Sequence, residues 1–127
     1  MPDFEMNVLI VDDFATMRKI VRNVLKQIGF KNIVEADNGK AALEVLKREK
    51  VQFIVSDWNM PEMTGLELLK TVRSTEEYKD IPFLMVTAEG QKEQVLEAIK
   101  QKVNNYIIKP FTPETFKEKV DKIFEGK

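Results

Sequence analysis

Along the whole chain, short apolar runs alternate with stretches where apolar residues recur at helical spacing. The runs predict strands over 7–11, 32–36, 52–56, 82–87 and 105–108. Between the first two, Met17, Ile20, Val21, Val24, Leu25 and Ile28 follow the i, i+3, i+4, i+7 pattern of one helix face. Ala42, Leu43 and Leu46 repeat that pattern briefly, as do Leu66, Leu69 and Val72, and then Leu96, Ile99 and Val103. A last helix carries Phe116, Val120, Ile123 and Phe124. It opens at Thr112-Pro113-Glu114, where an N-cap threonine, a first-position proline and an early acid form a strong start signal. Three runs (Val8-Leu9-Ile10-Val11, Phe53-Ile54-Val55 and Phe83-Leu84-Met85-Val86) are continuous rather than alternating. Such runs suit a parallel sheet covered on both faces. The pattern predicts an α/β domain of five strand–helix units filling residues 1–127, with no room for a second domain.

Four of the runs end in polar residues. Val11 leads into Asp12-Asp13, Ser56 into Asp57, Val86 into Thr87, and Ile108 into Lys109-Pro110. Parallel strands would bring all of these out along one edge of the sheet, the edge at which open α/β sheets bind ligands. Three carboxylates, a hydroxyl and an ammonium would then lie within reach of one another. Taken singly, each has a plain structural alternative: Asp57 as a loop acid, Asp12-Asp13 as helix caps, Thr87 as a strand-end β-branched residue, Lys109 as a snorkelling lysine.

Composition narrows the chemistry. The 127 residues are 43% hydrophobic and 32% charged, as in ordinary soluble domains. No apolar stretch approaches the roughly 20 residues of a membrane span, and the acidic N-terminus does not resemble a secretory signal. A cytoplasmic protein without membrane insertion is expected. Cysteine is absent, which removes disulfides, thiolate nucleophiles and cysteine metal sites. Histidine is absent too, so a histidine-based triad or zinc site is excluded. Any histidine in a phosphotransfer would belong to another protein. A net charge of −1 gives no basic excess for nucleic acid.

The order Asp12-Asp13, Ser56-Asp57-Trp58-Asn59-Met60-Pro61, Val86-Thr87-Ala88-Glu89 and Tyr106-Ile107-Ile108-Lys109-Pro110-Phe111 resembles the receiver domain of two-component response regulators. Val11 to Arg18 and Asp57 to Pro61 are similar to the stand-alone chemotaxis subgroup. The resemblance spans the chain and implies a flavodoxin-like, doubly wound sheet in the order 2-1-3-4-5 with five helices. It implies a phosphoacceptor signalling protein whose only catalysis is its own phosphotransfer and dephosphorylation. Asp57 would be the acceptor, since a carboxylate can form an aspartyl-phosphate. Crowded carboxylates raise one another's pKa, and a divalent cation relieves that repulsion. Mg²⁺ would bind Asp13, Asp57 and the backbone carbonyl of Asn59 directly, and Asp12 through water. Lys109, aimed by a cis Lys109-Pro110 bond, would clamp charge, and Thr87 would donate its hydroxyl to the phosphoryl group.

The resemblance also implies that Tyr106 packs inward behind Thr87 when the phosphoryl group arrives, a population shift between two packings. Asn59 and Glu89 would set the lifetime of the phosphate. The face formed by the fourth helix, fifth strand and fifth helix, with Lys92, Tyr106, Lys119 and Lys122, would bind a chemotaxis histidine kinase and the flagellar motor switch. A phosphatase is allowed as a further partner, and the protein would act as a monomer. An ordinary half-buried tyrosine and a solvated lysine face are the plain alternatives. Trp58 is expected to face solvent beside the pocket. Two positions depart from the family: Thr64 stands where Asp is common, and Lys102 takes a helix end that often carries Gly. A lysine in left-handed backbone there costs about 1 kcal/mol. Two rival classes share the architecture. A flavodoxin-like electron carrier lacks its phosphate-cradling loop here, and an aspartate-based phosphatase would carry its nucleophile after the first strand. A receiver with a non-motor partner is the nearer alternative.

Overall fold

A computed structural model of the chain describes residues 3–88 and 92–125. Five strands, β1 (Asn7–Val11), β2 (Asn32–Ala36), β3 (Phe53–Asp57), β4 (Phe83–Thr87) and β5 (Asn105–Ile108), form one sheet in the order β2-β1-β3-β4-β5. Every pairing is parallel. The helices are α1 (Ala15–Ile28), α2 (Gly39–Arg48), α3 (Gly65–Ser74), α4 (Lys92–Lys100) and α5 (Pro113–Ile123). The expected order and element count both hold, and strand boundaries agree to within one residue.

The two-residue period of a strand sends alternate side chains to opposite faces, and here that period makes two cores. Val8, Ile10, Phe53, Val55, Leu84 and Val86 pack with α1 and α5, against Val21, Leu25, Phe116 and Val120. Leu9, Val11, Ile54, Phe83 and Met85 pack with Ala42, Leu46, Leu68, Val72 and Ala98 on the other side. The central strands β1, β3 and β4 are buried on both faces, which is why their sequences run apolar without alternation. Edge strands β2 and β5 are mixed in burial and in sequence.

Helix ends follow local chemistry. Thr64 and Glu67 form a reciprocal capping box at α3, and the Thr112 hydroxyl accepts from Thr115 N–H with Pro113 at the first position of α5. Gly65 is needed for a close approach: a Cβ there would collide with the backbone oxygen of Asp57. Lys102 adopts φ 64°, the left-handed backbone expected at that helix end. Arg73 steadies this turn by donating to the Lys102 carbonyl at 3.0 Å and to Asn104 Oδ1 at 2.9 Å.

Two helix faces differ from expectation. Ile20 is 43% exposed, and Leu96 and Ile99 are 54% and 55% exposed. On α4, Val95, Leu96, Ala98 and Ile99 are all apolar, so several adjacent stripes satisfy the helical period equally well. Ala98 is the residue buried against the sheet. Val103 lies past the end of α4, in the turn before β5.

Candidate phosphoryl-acceptor site

Each polar anchor is pinned by backbone pairing that runs to the strand ends. Asp12 N–H donates to the Ala36 carbonyl at 3.1 Å, Trp58 N–H to Val86 at 2.9 Å, and Lys109 N–H to Thr87 at 2.7 Å. Asp57 is the last residue of β3, opposite Val86, and Thr87 is the last of β4, opposite Ile108. The sheet itself therefore fixes where the acids, hydroxyl and ammonium stand.

Asp12, Asp13 and Asp57 each present a carboxylate oxygen, and these oxygens lie within 4.8 Å of one another. Asp12, Asp57 and Thr87 are buried, while Asp13 is exposed. Lys109 Nζ lies 3.0 Å from Asp57 Oδ1 and 4.0 Å from Asp12 Oδ2. Lys109 is thus the ionic partner of Asp57 Oδ1, and no other partner for that buried oxygen is found among the described residues. Asp12 Oδ1 accepts from Phe14 N–H at 2.9 Å ahead of α1. This is a local turn contact, since the N-cap residue of α1 is Phe14 and carries no side-chain cap. The Lys109–Pro110 bond is cis.

Burial dominates the titration of both buried acids. It pushes Asp12 up to about 6, with the Phe14 N–H working against it and the charge of Asp57 adding to it. Burial also raises Asp57, opposed chiefly by Lys109. Three carboxylates facing one ammonium leave an excess of negative charge in little solvent. An all-oxygen donor set with more negative than positive charge fits a hard divalent cation.

Gly65 N–H donates to the Trp58 carbonyl at 2.8 Å and folds the 58–64 loop back over the end of β3. Asn59 is exposed in that loop, next to the acid cluster in sequence. Trp58 is only 8% exposed and packs in the second core, which corrects the expected solvent-facing indole. A ring of that size gains too much from burial to stand in water when the loop turns it toward Met60 and α3. Tyr106 is half-buried on β5, with Lys119 Nζ 5.1 Å from its ring centroid. Lys122 is exposed on α5. Glu89 lies outside the described residues, as does the side chain of Lys92. Sequence reasoning missed Arg18, whose Nη1 donates to the Asp12 carbonyl at 2.8 Å. Its i+3 place after Ala15 on α1 carries no signal of that contact.

The model of the response regulator receiver domain matches residues 8–121. Chemotaxis protein CheY-3 of Vibrio cholerae is 57% identical over 120 residues, covering 94% of this chain and 92% of the relative. Chemotaxis protein CheY of Pseudomonas aeruginosa is 52% identical over 120 residues, covering 94% and 97%. Among solved structures, Vibrio cholerae chemotaxis protein CheY4 superposes with a TM-score of 0.87 at 34% identity, covering 94% of this chain and 99% of that one. A response regulator receiver protein from Pseudomonas putida gives 0.84 at 26% identity, covering 93% and 97%. The chain belongs to the response regulator receiver family, a class of two-component signalling proteins. Within that family it is of the CheY type.

Proposed function

We propose that this protein accepts a phosphoryl group on Asp57 from a chemotaxis histidine kinase and passes the signal to a flagellar motor switch. The observation that carries the reading is the buried Asp57 carboxylate, its Oδ1 3.0 Å from Lys109 Nζ and its neighbours Asp12 and Asp13 within reach of one cation. The Asp57 carboxylate attacks phosphorus while the N–P bond of the donor phosphohistidine breaks, leaving its electron pair on the imidazole. The chain lacks histidine, in keeping with a donor on another protein.

Catalysis of this kind rests on positioning and charge neutralisation. Lys109 holds the attacking carboxylate in its ionised form against the burial that would protonate it. Thr87 donates its hydroxyl to a phosphoryl oxygen. Asp13, Asp57 and the Asn59 carbonyl would hold Mg²⁺, with Asp12 acting through water, and the ion would supply neutralising charge for the phosphoryl oxygens. Asn59 and Glu89 govern how readily water reaches the acyl phosphate. With Thr87 drawn toward the phosphoryl group, Tyr106 packs inward behind it.

The output face comprises α4, β5 and α5. Its exposed Leu96, Ile99 and Ile108 supply apolar area, and Lys92, Lys119 and Lys122 supply charge for an acidic partner segment. A phosphatase acting on Asp57 is a third partner in this scheme, and the domain, residues 1–127, works as a cytoplasmic monomer. Among the described residues no helix is long and apolar enough to cross a membrane.

Incubation with MgCl₂ and acetyl phosphate, followed by intact-mass analysis, tests the chemistry. One added phosphoryl group is expected, lost in EDTA and in Asp57→Asn. A mass unchanged in wild type, or a gain that survives Asp57→Asn, refutes it. Binding of a flagellar switch peptide with and without phosphorylation tests the partner.

A further inference from the structure

Arg18 is the second cation at the acid cluster, and it does not touch a carboxylate of that cluster. Its Nη1 donates to the backbone carbonyl of Asp12 at 2.8 Å, while its Nε donates to Glu35 Oε1 at 3.2 Å. Glu35, on the edge strand β2 opposite Ile10, is gripped from the other side by Arg22 Nη1 at 2.9 Å. Arg18 and Arg22 are four apart on α1 and share that carboxylate. The Arg18 side chain is only 20% exposed. A long, permanently charged side chain that reaches the backbone of Asp12 is a natural partner for a carboxylate of the cluster.

We propose that Glu35 is a positioning residue that parks Arg18. Held on Glu35, the guanidinium orients Asp12 through its main-chain carbonyl and leaves the Asp12 and Asp13 carboxylates to a divalent cation. Lys109 is then the one cation that contacts the cluster's carboxylates among the described residues. This rests on the metal-dependent receiver reading above, and it adds a device by which the edge of the sheet sets the metal affinity of the pocket. Releasing Arg18 turns it into an internal competitor for Mg²⁺. A partly exposed ion pair is worth little, so the effect is a modest fold-change that shrinks with salt.

The test is Mg²⁺ titration followed by Trp58 fluorescence and by calorimetry, at low and high NaCl, without any phosphodonor. In Glu35→Gln, Mg²⁺ affinity is expected to fall roughly three- to fivefold at low salt. In the double variant Glu35→Gln/Arg18→Met most of that loss is recovered, because the competitor is gone and only its contact with the Asp12 carbonyl is missing. The ¹⁵N–¹H signal of Arg18 Nε shifts in Glu35→Gln, and adding Mg²⁺ shifts it again. A role confined to stability would lower the melting temperature of both variants without this rescue. Wild-type affinity in Glu35→Gln, or a double variant as weak as the single, overturns the proposal while leaving the receiver reading intact. Wild type that binds no Mg²⁺ overturns both. Should Glu35→Gln fail to fold, Glu35→Asp draws the carboxylate back from Arg18 by one methylene, and it is expected to weaken Mg²⁺ binding by less; an unchanged affinity there overturns the proposal as well.

Discussion

Replacing Asp12 with Asn should stabilise the metal-free protein at neutral pH and do nothing in acid. The Asp12 carboxyl titrates at about 6 in the folded protein against 3.8 in the unfolded chain. Its side chain is 4% exposed, so solvent screens it little. An acid whose folded pKa is raised holds its proton more tightly when folded. Its stability contribution is therefore complete below about pH 3.8, declines as pH rises, and is fully lost above about pH 6. The difference of about 2 pKa units corresponds to about 3 kcal/mol. Asn is isosteric and keeps an Oδ1 to accept the Phe14 N–H, so the substitution removes charge and little else. Urea unfolding in EDTA, wild type against Asp12→Asn from pH 3.5 to 8, isolates the effect of the acid cluster, because carboxylates outside it cancel in the difference. The variant is expected to gain about 2–3 kcal/mol at pH 7 and nearly nothing at pH 3.5, with the change centred between. Saturating MgCl₂ should shrink the gap by stabilising wild type more. A difference flat across pH, or a variant less stable at pH 7 without metal, would refute the assignment of an uncompensated buried charge to Asp12.

Gly65→Ala drives a Cβ into the Asp57 backbone oxygen and should lower stability by about 2–3 kcal/mol by urea unfolding, with weaker Mg²⁺ binding because the acceptor loop must shift. Lys102→Gly relieves left-handed backbone, offset in part by added freedom in the unfolded chain, for a net gain of about 0.5–1 kcal/mol in the same assay. Leu96→Gln/Ile99→Gln should leave the thermal midpoint nearly unchanged, each site within about 0.5 kcal/mol, while lowering affinity for a flagellar switch peptide by calorimetry.

Legibility in the sequence tracked how strongly each segment is buried. Strands β1, β3 and β4 are covered on both faces, and nothing but an apolar run satisfies such a position, so they could be read directly. The anchors Asp12, Asp57, Thr87 and Lys109 followed, since topology carries strand ends to one edge whatever the side-chain detail. Reading failed where several placements satisfy one pattern. On α4, four clustered apolar residues left the rotation about the helix axis open, and the sheet took Ala98. Trp58 was misplaced because its environment depends on the turn that Gly65 allows, a contact seven residues away. Arg18 was invisible for a similar reason. Its partners, the Asp12 carbonyl and Glu35 on β2, meet only once α1 has docked.

The energetics of the site and of the sheet belong together. Burial raises both Asp12 and Asp57 above their ordinary range, so an ionised, metal-free pocket works against folding. Two apolar cores with Phe53, Phe83, Phe116 and Leu68 fully covered offset that cost, at about 1.5–3 kcal/mol for each large side chain taken from water. Relief could have come from inside, by swinging Arg18 onto the acids, but the chain holds that guanidinium on Glu35 and supplies one ammonium instead. A pocket fully neutralised by its own side chains would have little affinity for a cation, and the excess negative charge that weakens the free protein is what a divalent cation would relieve.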